Sequence, residues 1–139
     1  MTRGTTLLEL LLMLCLLALL ATLAVARVAT AADRAAVAVE AARVRGALEA
    51  ARDAGLRLGT VAALQFGAGA WEVRAVVQGV ETTAWRAAGT SAGITLEGGG
   101  DPIRFGPSGL AVGVSNRTLR IRRGEVSRDV VVSRLGRVR

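Results

Sequence analysis

The hydrophobic pattern divides the chain before composition does. From Leu10 through Ala26 every position is uncharged and most are leucine or alanine. With residues 5–8 in front, the stretch approaches the ~20 residues an α-helix needs to cross ~30 Å of hydrocarbon. Charged residues return after Ala26, but a helical period persists. Val37, Ala41, Val44, Leu48 and Ala51 fall at i, i+4, i+7, i+11 and i+14, one stripe of a helix. Arg34, Glu40, Arg43, Glu49 and Arg52 fall off that stripe, and Arg45 and Glu49 are spaced to pair weakly. No proline interrupts residues 5–54, Gly46 is a soft point, and Gly55 is placed to cap the C-terminus. The pattern predicts a helix of about 50 residues, ~75 Å long at 1.5 Å per residue. Its first half suits membrane or an apolar filament core, and its second half suits packing on a sheet. A coiled coil is the alternative, disfavoured by Gly46 and the alanine-rich stripe.

From Leu56 onward the period changes. Short runs of Val, Ile, Leu, Thr and Trp alternate with glycine-rich breaks. Strands are expected near 60–66, 71–77, 83–86, 93–96, 103–105, 110–112, 118–122 and 129–134. Gly98-Gly99-Gly100 and Gly106-Pro107-Ser108-Gly109 mark turns. Leu119-Arg120-Ile121-Arg122 alternates apolar and basic, so one sheet face is expected to be arginine-lined. Val130-Val131-Val132 reads as buried on both faces. Trp71 and Trp85 read as core or cross-strand aromatics. The fold class is α+β: a long N-terminal helix packed on a small antiparallel sheet domain.

Composition narrows the chemistry. The 139 residues carry a formal charge of +7, and all 18 basic residues are arginine. There is no histidine, and the single cysteine, Cys15, lies inside the apolar run. Imidazole catalysis, thiol–imidazole dyads and Cys/His metal sites are thereby excluded, as is an internal disulfide. No phosphate-binding glycine loop with its lysine is present, and Glu97, Asp101 and Glu125 are scattered near turns. Neither an enzyme, a cofactor nor a bound metal is expected.

The basic N-terminal leader is only Met1-Thr2-Arg3-Gly4, and Glu9 stands inside the apolar run. A secretory signal with a cut after Ala24-Val25-Ala26 is one reading. An intramembrane carboxylate, however, costs roughly 2.5–3.5 kcal/mol on insertion and normally marks a function. Gly4-Thr5-Thr6-Leu7-Leu8-Glu9-Leu10 and the Leu/Ala run after it resemble the processing and assembly signal of type IV pilins and pseudopilins. That resemblance implies cleavage after Gly4 by a prepilin peptidase and N-methylation of the new terminus, Thr5. It also implies an assembly role for Glu9. Pairing of Glu9 with the terminal amine of a neighbouring subunit would neutralise both charges in a low dielectric and set the axial register. Thr5 replaces the family's usual phenylalanine, and Ala26 stands where many members have a helix-bending proline. Arg27 and Arg34 make the flanking charge bias weak. The resemblance, rather than the charges, therefore places the chain as single-pass in the bacterial inner membrane with a periplasmic C-terminal domain.

The C-terminal end carries a second resemblance. Ile103-Arg104-Phe105-Gly106-Pro107-Ser108-Gly109, an arginine-rich strand, and Ser133-Arg134-Leu135-Gly136-Arg137-Val138-Arg139 are similar to the GspH/FimT-type pseudopilin domain. The expected organisation is a leader over 1–4, a membrane or filament-core helix over 5–26, its amphipathic continuation over 27–55, and a β-rich domain over 56–139. From Arg117 to the end there are eight arginines and two acids. Arginine forks suit bidentate phosphate contacts. In the FimT-type branch a terminal Gly-Arg-x-Arg motif is tied to DNA binding in natural transformation. The resemblance thus implies DNA contact by Arg137 and Arg139, with Arg134, Arg122 and Arg123 in support. No aromatic is interleaved, so this contact is expected to be independent of sequence. The implied partners are other pilin or pseudopilin subunits, the prepilin peptidase, inner-membrane lipid and DNA. The alternatives are a minor pseudopilin of a type II secretion system and a membrane-tethered binding domain outside any filament.

Overall fold

A computed structural model describes residues 6–113 and 117–139. Helix α1 runs unbroken over Leu7–Leu58, 52 residues, or about 78 Å at the standard rise. Thr6 caps its start, the hydroxyl accepting from Glu9 N at 3.4 Å. Gly59 ends it in the left-handed region at φ 63°. Gly55, expected as the cap, instead lies one turn inside the helix, where a side chain would crowd the Phe105 and Gly106 carbonyls. Close packing, not chain reversal, explains that glycine.

Eight strands follow: β1 Ala62–Phe66, β2 Ala70–Val77, β3 Val80–Ala88, β4 Thr95–Glu97, β5 Ile103–Phe105, β6 Ala111–Val112, β7 Arg117–Arg123 and β8 Val126–Val132. They form a five-stranded sheet ordered β3-β2-β1-β5-β6 and a three-stranded sheet ordered β4-β7-β8. Among the described residues every strand pairing is antiparallel. Each expected strand has a counterpart. The last one starts earlier and stops before Arg134, because the chain turns at 133–137 and returns along β8. Val131 and Arg139 exchange both backbone hydrogen bonds at 3.0 Å. The tail thus makes a single antiparallel bridge, Val138 to Val132, against the edge of β8.

Both sheets pack on one stripe of α1. Val37, Ala41, Val44, Leu48 and Ala51 are all buried, as their spacing predicts. They meet Leu64, Trp71, Val73 and Phe105 from the larger sheet and Leu119, Ile121, Val130 and Val132 from the smaller. Alanine is frequent in the stripe and lets the strands approach the helix closely. Trp71 is buried and meets Phe66 edge-on at 5.2 Å between centroids, whereas Trp85 is half-buried. Val131 is 42% exposed while its neighbours are buried. The three-valine run therefore alternates like an ordinary one-sided strand.

Glu40, placed off the stripe by its spacing, is 1% exposed. Its carboxylate accepts from Ser91 N at 3.2 Å, Ser91 Oγ at 2.8 Å and Arg43 at 2.8 Å. Arg43 also donates to the Ala88 and Gly89 carbonyls and stacks over Trp71 at 4.8 Å. This polar cluster fastens the β3–β4 loop to the helix. Helical periodicity cannot anticipate it, because its partner is a loop far along the chain. Among the described residues Arg45 makes no ion pair with Glu49; the ion pairs within the helix are Arg43–Glu40 and Arg57–Asp53.

Candidate functional site

Two regions carry the expected functional residues: the apolar part of α1 and the arginines of the last strands and tail. In the first, the leucines from Leu7 to Leu23 are 53–80% exposed. Among the described residues no element of the domain covers them, and this helix is long and apolar enough to cross a membrane. Glu9 is exposed in the first turn of α1. Gly4 and Thr5, the expected cleavage and methylation positions, lie outside the described residues.

Alternation in β7 buries Leu119 and Ile121 against the helix and turns Arg120 and Arg122 outward. Arg120 sits opposite Asp129 and Glu97 in the ladder. It forms a forked pair with Asp129 at 2.9 and 3.1 Å. The hydrogen bond from Arg120 holds the Asp129 carboxyl below its usual range, against a smaller opposing effect of desolvation. The same bond raises Arg120. At the centre of the face the charge of Arg120 is therefore offset by carboxylates.

The expected basic residues divide between the two ends of the domain. At one end, Arg123 pairs with Asp33 of α1 at 2.9 Å. The side chain of Arg122 donates to the Gly124 carbonyl in the adjacent turn. At the other end, the tail packs against the Gly106–Gly109 turn. Gly136, at φ 71°, lies so close to the Gly109 carbonyl that a Cβ there would collide with it. Arg52 donates to that carbonyl at 3.2 Å, and Ala111 N donates to the Arg134 carbonyl at 3.3 Å. Arg134, Arg137 and Arg139 are exposed, and none has an ion pair among the described residues. Asp33 and Arg52 are 19 positions apart on α1, about 28 Å along its axis. From the ladder, Arg139 and Arg122 are separated by roughly 16 Å of sheet.

The structure thus brings Arg134, Arg137 and Arg139 together, adds Arg52, and places Arg122 and Arg123 elsewhere. Arg52 had no sequence signal, because only the fold carries the helix to the tail. The glycine of the terminal motif has a structural reason: it lets the tail lie flat on a neighbouring backbone.

Other hollows offer little chemistry. A groove of about 550 Å³ between the β1–β2 turn and the β3–β4 loop includes Phe66, Ser91, Ile94 and Leu96, and no ionisable side chain lines it. Among the described residues no group of three His, Cys, Asp or Glu side chains could hold a metal. Asp101 is engaged by Arg117 at 3.2 Å.

The family model described as Type II transport protein GspH matches residues 40–136, most of the helix–sheet unit and the tail through Gly136. The chain belongs to the GspH family. Two crystal structures of the type IV minor pilin FimU from Pseudomonas aeruginosa share its fold. The form in space group P21 aligns with a TM-score of 0.65 at 17% identity, over 77% of this chain and 89% of that one. The P65 form gives 0.58 at 16%, over 71% and 87%. No curated protein matches the chain. GspH-type pilins are structural subunits, so this chain is a structural subunit and not an enzyme.

Proposed function

We propose that this GspH-family chain is a minor subunit of a type IV pilus assembly, held in the inner membrane by α1 before it enters the filament. One observation carries the proposal: the first half of α1 is apolar, and its described side chains are exposed. The cover for that surface must come from lipid or from neighbouring subunits. On this reading the peptidase cuts after Gly4, Thr5 is N-methylated, the domain is periplasmic, and Glu9 pairs with the amine of an adjacent subunit. Mass spectrometry of the mature protein should find residues 1–4 missing and a methyl group on Thr5. An intact leader would make the chain a plain anchor. Glu9→Ala should leave membrane insertion intact and lower incorporation into filaments; normal incorporation counts against the pairing.

The distal arginines support a finer reading, in which Arg137, Arg139 and Arg134, joined by Arg52, bind DNA phosphates without reading bases. Full-length protein in detergent micelles should bind duplex DNA, with affinity falling steeply as salt rises. Arg137→Ala with Arg139→Ala should reduce the log–log salt slope by about 2. An unchanged slope and affinity would sink the DNA reading and leave the filament reading intact. The second reading, a pseudopilin of a type II secretion system, is favoured by the description of the matching family. Loss of pili in a deletion strain supports the first assignment, and loss of protein secretion supports the second.

A further inference from the structure

The membrane-proximal end of the domain carries arginines that neither the filament role nor DNA binding uses. Arg27 is the first charged residue after the apolar run, and Arg34 follows seven residues later. Both are exposed. The Arg123–Asp33 ion pair, 2.9 Å long, brings the β7–β8 turn against this part of α1. Gly124 is also close to it: a Cβ there would lie 3.3 Å from the Asp33 carboxylate. Arg122 is exposed, and one of its N–H groups donates to the Gly124 carbonyl at 3.0 Å. Among the described residues the other donors of its guanidinium have no partner.

The helix supplies a ruler. Residues 7–26 make about 30 Å of helix, the thickness of the hydrocarbon layer, so Ala26 falls at its edge. Asp33 stands about 10 Å beyond, a few ångströms outside a headgroup layer about 5–8 Å thick. The ion pair to the helix thus holds the β7–β8 turn just outside the headgroups, within reach of an extended arginine side chain. Two carboxylates accompany the four arginines: Asp33, already engaged by Arg123, and Glu125 in the turn.

We propose that Arg27, Arg34, Arg122 and Arg123 form a collar that binds anionic phospholipid headgroups. The bound chemistry is the phosphodiester, which arginine forks recognise. Basic residues near an anionic bilayer are attracted by about fivefold each in binding constant. The collar fixes the height and tilt of the domain over the bilayer while the subunit waits in the membrane. It is distinct from the distal DNA patch. It rests on the proposal that α1 crosses the bilayer, and on no other part of that reading.

The test uses the full chain with Cys15→Ala, reconstituted in nanodiscs and labelled with a fluorophore at Ser127→Cys or Ser108→Cys. Ser127 faces outward opposite Arg122, and Ser108 lies in the distal turn. A nitroxide on the lipid headgroup serves as quencher. In discs containing phosphatidylglycerol the label at 127 should be quenched at least threefold more than the label at 108. The excess should fall at least twofold in phosphatidylcholine alone, in 0.5 M NaCl, and in Arg34→Gln with Arg122→Gln, towards the level that the helix alone sets. Equal quenching at the two positions overturns the collar. So does quenching at 127 that ignores lipid charge, salt and both substitutions. Inorganic phosphate at 10 mM that removes the excess would assign the arginines to free phosphate. Short duplex DNA that removes it would assign them to nucleic acid. Either result also overturns the proposal. A chain that stays out of both kinds of disc refutes the membrane anchor itself, an outcome separable from failure of the collar alone.

Discussion

The two halves of α1 share one continuous hydrogen-bonded backbone but have opposite surroundings. In the first half, leucines are more than half exposed on every side of the helix. In the second, a stripe from Val37 to Ala54 is almost fully buried, while the opposite side is solvated. Period-3.6 patterning tracks this difference. A segment that is apolar all round needs an apolar medium, and a segment with one apolar stripe needs one packed partner. The same helix therefore serves two solvents, and the change occurs over about two turns near Arg27–Asp33.

The strongest way to test this contrast is to remove one leucine from each half. Leu48→Ala should destabilise the domain by about 2–5 kcal/mol, since it opens a cavity among close-packed strands. Leu16→Ala should leave the thermal midpoint of the domain in detergent unchanged. Equal losses would mean that the first half packs on the domain after all. Next in size is the Glu40 cluster, which marks where the stripe rule fails. Glu40→Ala should cost about 2 kcal/mol, because Ser91 and Arg43 lose a buried acceptor. Glu49→Ala on the solvated side should change stability by less than about 0.5 kcal/mol in denaturant melts. Gly46→Ala sharpens the contrast in the other direction. A methyl at this helical position meets nothing within 4 Å. It should therefore stabilise the domain by about 0.5–1 kcal/mol through lower backbone entropy in the unfolded chain.

The smallest effect concerns pH. Asp129 and Glu72 are held below the usual carboxylate range chiefly by hydrogen bonds from Arg120 and Arg74. A folded-state pKa below the unfolded value stabilises above the unfolded pKa, and that stability is lost as pH falls through the folded value. The thermal midpoint should therefore decline slightly below about pH 4. Asp129→Asn should flatten part of that decline; an unchanged profile would show that the pair contributes nothing at this exposed site.

Much of this architecture was legible in the residues. Apolar length, the stripe spacing and the glycine-punctuated runs predict one long helix, a set of short strands and their order, because these depend on local periodicity. Burial of Val37, Val44 and Leu48 followed from the same cause. Other features depend on groups far apart in the chain. Glu40 looks solvated by spacing and is buried by a loop about 50 residues away. Gly55 looks like a cap and is a packing contact. The arginines of the last two strands and tail look like one basic segment. In the fold, a β-hairpin carries Arg122 and Arg123 towards the apolar half of α1, and the returning tail carries Arg137 and Arg139 to the opposite end beside Arg52. The sequence alone determined which segments are apolar, helical or extended and how much positive charge the end of the chain carries. Only the tertiary structure decided which charges are neighbours, because strand reversal separates residues adjacent in sequence and joins residues distant in it.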